Sequence, residues 1–421
     1  MKKILLWLLF MPLMVQGQTL EQCQQAAEQN YPLIKQYDLI AQTTALTVSN
    51  IMKSWLPQLT ASAQATYQNK VVSFPEQMTA MYTQAGINMK GLRKEQYRMG
   101  VDLSQTLYDG GIISSEQTIA RHQGRVQEAQ NAVDLYNVRQ RVNEMYFALL
   151  LIDDQLQLNA DLNQLLMANE KKLGSMVKNG TAAASDLQNI SAERLNTEQQ
   201  QTILLSQKRL LQQMLSTFCG IEVTTPRRPK PENIANTTVM RPELKLMDAQ
   251  TDLLNSQEHA LNAALKPRLG LFAQGYYGYP GYNMFEDMTR RNPTVNFMIG
   301  ARLTWNIGNL YTRKNDKAKI ELQRNLIENN REVFLFNTGL EQMRQREEIK
   351  RYEKLIGRDD EIISLRMNVR KAAESKLAHG IIDVNDLLRE INQENAARLQ
   401  KSMHEIEMLR QIYEYKYTTN N

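Results

Sequence analysis

"SQTLYDGGIISSEQTIARHQ", Ser104 to Gln123, changes character at a glycine pair. Before Gly110 polar and apolar residues alternate, the period-two pattern of a strand; after Gly111 the chain is charged and amide-rich, in the manner of a helix. Gly110 and Gly111, preceded by Asp109, permit backbone angles closed to residues with a Cβ. The stretch is a strand-to-helix junction, and the helix it opens is very long. No proline occurs between Pro75 and Pro226 or after Pro293, so nothing breaks helix in either tract. The first helical pattern runs from about 112 to 178, about 100 Å at about 1.5 Å per residue.

Inside that tract Val142, Met145, Leu149, Ile152 and Leu156 step by three and four. In the second tract Leu326, Val333, Phe336, Leu340 and Met343 do the same after one skipped position. Both are coiled-coil seams. The strand pattern is equally regular. Val295, Phe297, Ile299, Ala301, Leu303, Trp305 and Ile307 share one face against Asn296, Met298, Gly300, Arg302, Thr304 and Asn306. Leu59, Ala61, Ala63, Ala65 and Tyr67 oppose Gln58, Thr60, Ser62, Gln64 and Thr66. A soluble sandwich could use such strands, but their length also suits the 9 to 11 or so residues of a transmembrane strand. The tyrosines near the strand ends, Tyr276, Tyr277, Tyr279 and Tyr282 among them, fit an interfacial girdle or plain strand propensity equally well.

The chain is written twice. "YPLIKQ" at Tyr31 matches "RPELKL" at Arg241, and "WLPQLTASAQATY" at Trp55 matches "LKPRLGLFAQGYY" at Leu265. "MGVDLSQTL" at Met99 matches "IGARLTWNI" at Ile299, and "KNGTAAASDL" at Lys178 matches "AHGIIDVNDL" at Ala378. Four matches in order indicate a duplication. A first repeat over 18–218 carries strands at about 56–68 and 97–108 and long helices at about 112–178 and 186–218. A proline-rich connector, 219–240, leads to a second repeat over 241–421, with strands at about 267–279 and 294–307 and helices at about 311–378 and 385–417.

Composition narrows the class. Of 421 residues only 42% are hydrophobic, too few for several compact cores. "MKKILLWLLFMPLMVQGQ" has the basic start, apolar run and small residues of a secretory signal, expected over residues 1–17. Without its two lysines the net charge falls from +5 by two, to +3, too weak a balance to argue for nucleic acid. Export would place Cys23 and Cys219 where disulfides persist; one disulfide joining them is the favoured reading and two separate thiols the alternative. The histidines, His122, His259, His379 and His404, have no metal-ligand spacing, and each is expected at the surface. No catalytic, cofactor-binding or metal-binding group is expected, and an enzyme is not. "GYYGYPGY" lacks the lysine and following helix of a phosphate loop.

Two strands per repeat give four per chain. A membrane barrel takes about eight or more, and an open edge in lipid leaves backbone groups unpaired. Several chains must therefore share one barrel if the strands span a membrane; three would supply twelve strands. Along its mature length the chain resembles the TolC family of outer-membrane efflux proteins, through "TLEQCQQAAEQNYPLIKQ", "WLPQLTASA", "LSQTLYDGG", "NGTAAASDL", "HGIIDVNDLL" and the duplication.

The resemblance implies an α+β membrane protein. Three chains would form a 12-stranded β-barrel in the outer membrane, continued through the periplasm by an α-helical barrel of coiled-coil hairpins. It further implies a homotrimer, in outer-membrane lipid, that docks on a periplasmic adaptor and an inner-membrane pump and acts as their passive exit duct. The connector and the C-terminus would contribute to a mixed equatorial region. The turns at Gly180 and Gly380 would lie at the periplasmic mouth, with Ser185, Asp186, Asp383 and Asp386 around the gate; Ser185, Asp186, Asn385 and Asp386 also have the chemistry of helix caps. Arg389 stands where the family often has an acid, and "IGNLYTR" replaces the Gly-Gly junction in the second repeat. The alternative reading is an exported coiled-coil scaffold without channel activity.

Overall fold

A computed structural model describes residues 18–89, 91–232, 234 and 238–420. The segment expected to be a signal peptide, 1–17, lies outside the described residues. In chain order the elements are α1 (Leu20–Asn30), α2 (Ile34–Met52), β1 (Gln58–Tyr67), α3 (Glu76–Gln84), β2 (Glu95–Tyr108), α4 (Ile112–Lys178) and α5 (Ala184–Cys219). There follow α6 (Pro242–Ala263), β3 (Arg268–Tyr279), α7 (Met284–Arg290), β4 (Thr294–Thr304), α8 (Asn309–Ala378) and α9 (Val384–Thr419). From α2 and from α6 onward the two halves repeat one order, helix, strand, short helix, strand, long helix, long helix.

One strand boundary differs instructively from the sequence pattern. β4 stops at Thr304, because Asn309, Leu310 and Tyr311 donate back to the carbonyls of Asn306, Ile307 and Gly308 and turn the chain into α8. The segments joining the strands contain two short helices, α3 and α7, that the sequence pattern does not show. The connector is tied down: Arg227 N donates to Gln18 O at 3.1 Å, and the Tyr146 hydroxyl bridges the carbonyls of Gln18 and Arg227 at 2.8 and 2.7 Å.

The chain forms two compact units, and neither is one of the repeats. One unit combines Asp38–Glu128 with Met247–Asn329. It holds the antiparallel sheet, in the order β1-β2-β3-β4, with α2, α6 and the first parts of α4 and α8. Inside it Thr44 of α2 lies against Gly124 of α4, where a side chain at 124 would collide with it. On the other side Arg324 of α8 bonds Asn255 and Glu258 of α6 at 2.8 and 2.6 Å. Each half of the chain supplies one helix pair, so a repeat alone cannot complete the unit.

The other unit takes the described residues of Met1–Tyr37 with Ala129–Leu246 and Asn330–Asn421. Its larger core joins α1, α4, α5, α8 and α9 around Leu20, Val142, Tyr146, Phe147, Leu215 and Ile412. A smaller one gathers Leu166, Leu173, Ile190, Val384, Leu387 and Ile391 near the hairpin turns. Burying a side chain such as Leu149 or Leu166 in these cores contributes about 1.5–3 kcal/mol, and the first seam, Val142 to Ile152, is indeed internal. The second seam is not: Val333, Phe336, Leu340 and Met343 remain exposed.

Candidate functional site

The sheet has one apolar face and one polar face. Register places Leu59, Leu103, Ala273 and Ile299 side by side, and next to them Ala61, Val101, Gly275 and Phe297. The intervening rows read Thr60, Asp102, Gln274, Met298 and Ser62, Gly100, Tyr276, Asn296. Nothing among the described residues covers the apolar rows: Leu59 is 70% exposed, Val295 79%, Phe297 76% and Ile299 75%. An apolar patch of this extent marks a surface made for lipid or a partner. β1 and β4 are edge strands, paired on one side only.

At the strand-to-helix junction Gly110 and Gly111 have φ of 75° and 92°. A Cβ on Gly110 would also stand 2.8 Å from Lys266 Cβ and 3.1 Å from Ala263 O, so the first glycine serves both backbone angle and close approach. Asp109, buried, caps α4: one carboxylate oxygen accepts from Gly111 N at 2.8 Å and the other from Ile113 N at 2.6 Å. The second junction does without a positive-φ glycine. There the Asn309 amide donates to Ala264 O at 3.0 Å and Trp305 Nε1 to Leu265 O at 2.9 Å, pinning the start of α8 to the end of α6.

The two hairpin turns are built alike. Gly180 and Gly380 have φ of 73° and 68°. After Gly180, Thr181 N donates to Met176 O at 2.9 Å; after Gly380, Ile381 N donates to Lys376 O at 2.9 Å. This is the left-handed helix ending that glycine favours. The returning helices are capped differently from the sequence reading. Asp383 is the N-cap of α9 and accepts from Asp386 N at 2.9 Å. Asp186 reaches back to Ala183 N at 3.3 Å, whereas Ser185 and Asn385 sit inside the first turn and are not the caps. The helix already begins at Ala184 and Val384, one or two residues earlier than the sequence suggests, so these residues come too late to cap it.

Cross-hairpin contacts that the sequence pattern missed join the turns. Asn189 bonds Asn385 at 3.3 Å, and Asn392 donates to Glu193 at 3.1 Å. Arg389 pairs with Asp386 at 3.0 Å, so the cation in the unusual position partly neutralises its neighbour. Deeper in, Glu394 is buried between Arg370 and Arg398 at 2.5 and 2.7 Å. Burial opposes its ionisation, but the two guanidiniums outweigh it and hold the carboxyl below its ordinary range. Amide side chains give no periodic signal, which is why these links escape a pattern reading.

Cys23 and Cys219 are brought together, both buried, as two thiols without a bond between them. Cys219 Sγ lies 3.4 Å from Cys23 O, and hydrogen bonding to Cys23 with burial pushes the Cys219 thiol up. His404 corrects the expectation of surface histidines: it is largely buried, with Nδ1 2.8 Å from Asp359. Among the described residues no cluster of His, Cys, Asp and Glu could hold a metal ion, and no helix is long and apolar enough to cross a membrane.

No protein-family model matches the chain, and no curated protein matches it in sequence. Solved structures do match in shape. CusC, studied for the conformational changes accompanying folding and transmembrane channel formation, is 12% identical, with a TM-score of 0.66 over 95% of this chain and 91% of that one. The CmeC outer membrane channel of Campylobacter jejuni gives 13%, 0.65, 95% and 85%, and the open MtrE outer membrane channel of Neisseria gonorrhoeae 14%, 0.60, 95% and 88%. At such low identity the likeness speaks for architecture, which agrees with the four-stranded sheet and paired helical hairpins described above. The chain has the fold of the TolC family of outer-membrane channels.

Proposed function

We propose that the protein is an outer-membrane exit duct, a homotrimer whose three sheets close into one twelve-stranded barrel and whose helical hairpins enclose a periplasmic passage. The observation that carries this reading is the sheet, apolar and uncovered on one face, with β1 and β4 both open. Strand directions alternate from β1 to β4, so β4 of one copy can pair antiparallel with β1 of the next and keep the alternation around a closed ring. Closure removes the unpaired edges that lipid would not tolerate. The polar rows, with Gln64, Arg98, Asp102 and Arg302, would then line water, and the apolar rows would face lipid.

In this reading the duct is passive and docks on a periplasmic adaptor and an inner-membrane pump, and small molecules or protein are its cargo. Asp186, Asp383 and Asp386, repeated three-fold at the turns, would attract cations and repel one another in a narrow mouth, with Arg389 offsetting Asp386. In the oxidising periplasm the Cys23 and Cys219 thiols would form one disulfide, their two electrons and two protons passing to the disulfide of a thiol oxidant.

The test is fractionation followed by recording. The protein should be found in the outer membrane, need detergent, have a trimer mass by light scattering, and conduct ions in a planar bilayer. A species that dissolves without detergent and shows no conductance would instead support the coiled-coil scaffold.

A further inference from the structure

The polar face of the sheet holds two cations side by side at its foot. On that face β1 is uncharged, from Gln58 to Thr66, and the other three strands carry Arg98, Asp102, Arg268 and Arg302. Arg98 stands near the strand-joining segments and Asp102 midway. Arg268 and Arg302 lie together at the end where β2 passes into α4. Register sets Arg302 beside Gly270, and Arg268 is two residues along β3 from that glycine, on the same face. Diagonal neighbours of this kind are about 7–8 Å apart, within reach of long side chains.

Two glycines shape the space around them. Gly270 leaves the place between the two arginines without a side chain, and a Cβ there would stand 3.1 Å from Gln105 O. The ring of Phe272 lies over Gly300, where a Cβ would stand 2.7 Å from its Cζ. That ring carries the Arg302 guanidinium 4.9 Å from its centroid. A cation held on an aromatic face is oriented without being neutralised. Between the polar face and the start of α4 this leaves a cavity of about 440 Å³, with Thr106, Arg268, Phe272 and Arg302 on the sheet side and Glu116 on the helix side.

Arginines elsewhere in the chain are matched, Arg324 with Glu258 and Arg370 with Glu394. Among the described residues Arg268 and Arg302 have no ion-pair partner. Asp109 also lines the cavity, but its two oxygens are engaged by the amides of Gly111 and Ile113. Glu116 is exposed and pairs with neither arginine. In the ring proposed above, β4 meets β1 of the next copy, whose polar face brings no acid.

We infer that this cavity is a transit seat for an anionic cargo, whose carboxylate, sulfonate or phosphate group is held between Arg268 and Arg302 above Gly270. The planar fork of a guanidinium offers such groups two parallel N–H donors. Water in the barrel weakens each contact, and a conduit needs sites that release what they bind. The inference rests on the duct reading and deepens it by naming the charge of the cargo. Three copies would set two guanidiniums each round the foot of the barrel, with Glu116 as the opposing charge.

The probe is pyrene tetrasulfonate, added to planar bilayers holding the full-length trimer. It should block the current, and Arg268→Gln with Arg302→Gln should weaken the block by about tenfold or more. Glu116→Gln should strengthen it. Gly300→Ala, which displaces the ring from under Arg302, should weaken it with both charges in place. Block of the double variant at the wild-type concentration overturns the seat, as does a conducting wild-type protein that the probe leaves open. Light scattering checks that each variant is a trimer, and Arg302→Gln alone serves where the double variant does not assemble. A trimer without conductance overturns the duct reading. The seat is then decided by fluorescence anisotropy of the probe on the trimer in detergent, where the variants should keep the same order of affinity and equal affinities overturn it.

Discussion

Gly180 and Gly380 adopt a left-handed backbone with nothing within 4 Å of where a Cβ would stand, so any penalty for substitution there is conformational rather than steric. Gly180→Val should destabilise the turn by about 1–2 kcal/mol, and Gly180→Asn by clearly less; thermal unfolding of the two variants side by side checks this. The acids beside the turns should not be equivalent. In bilayer recordings Asp186→Ala should reduce cation preference by more than Asp386→Ala, because Asp386 is already paired with Arg389. Arg389→Ala should raise it. Equal effects of the two aspartate changes would mean that the pairing does not operate in the open duct. The turn glycines were readable from sequence, since "NGTA" and "HGII" each follow an unbroken helical pattern. The cap at Asp383 was confused with its neighbours because an asparagine and a second aspartate, Asn385 and Asp386, follow within three positions. Only the hydrogen bond to Asp386 N identifies which residue caps.

Helices and strands were legible wherever one periodicity ran long enough to dominate. The bounds of α4 follow from a glycine pair at one end and a glycine turn at the other. α3 and α7 were hidden because seven to nine residues offer too few turns to establish a period. Both seams were visible as patterns, but periodicity cannot tell whether the partner is in the same chain: the stripe at Val142 is buried, that at Phe336 is not. Between α6 and α8 the link is ionic. Hydrogen bonds from Lys317 and from Arg324 hold the Glu258 carboxyl down to about 2 from an ordinary 4.5. A folded-state value below the unfolded one means that the contribution is complete above about pH 4.5 and disappears as pH falls towards 2. Glu258→Gln should therefore flatten the fall of melting temperature over that range while changing it little between pH 2 and more acid conditions. At α1 and α5, protein isolated without reductant should show no free thiol by alkylation in denaturant and two after reduction. Two before reduction would mean that the buried pair stays reduced.

At the scale of the molecule, the duplication and the four-strand arithmetic pointed to a shared barrel, but they did not show that the compact units cut across the repeats. That division arises because the strand pairs of both halves join in one sheet, β2 against β3, and the helix row beside them takes members from both. A single repeat expressed alone should therefore fail to fold, giving a circular-dichroism spectrum without cooperative melting; a cooperative transition in 18–218 would show that a repeat is self-sufficient after all. The strand-joining segments raise a different matter. The Tyr279 hydroxyl accepts from Arg93 N at 3.0 Å and donates to Asp287 O at 3.2 Å, Arg291 reaches Gly91 O at 3.1 Å, and Leu92, Tyr279 and Met288 share one small core. Phe74 sits 6.1 Å from Phe285, ring to ring. The two segments are separated by some two hundred positions in sequence yet present one surface. An antibody raised on the whole protein should recognise an epitope assembled from both, and a synthetic peptide copying either segment should neither compete for it nor elicit serum that binds the folded protein.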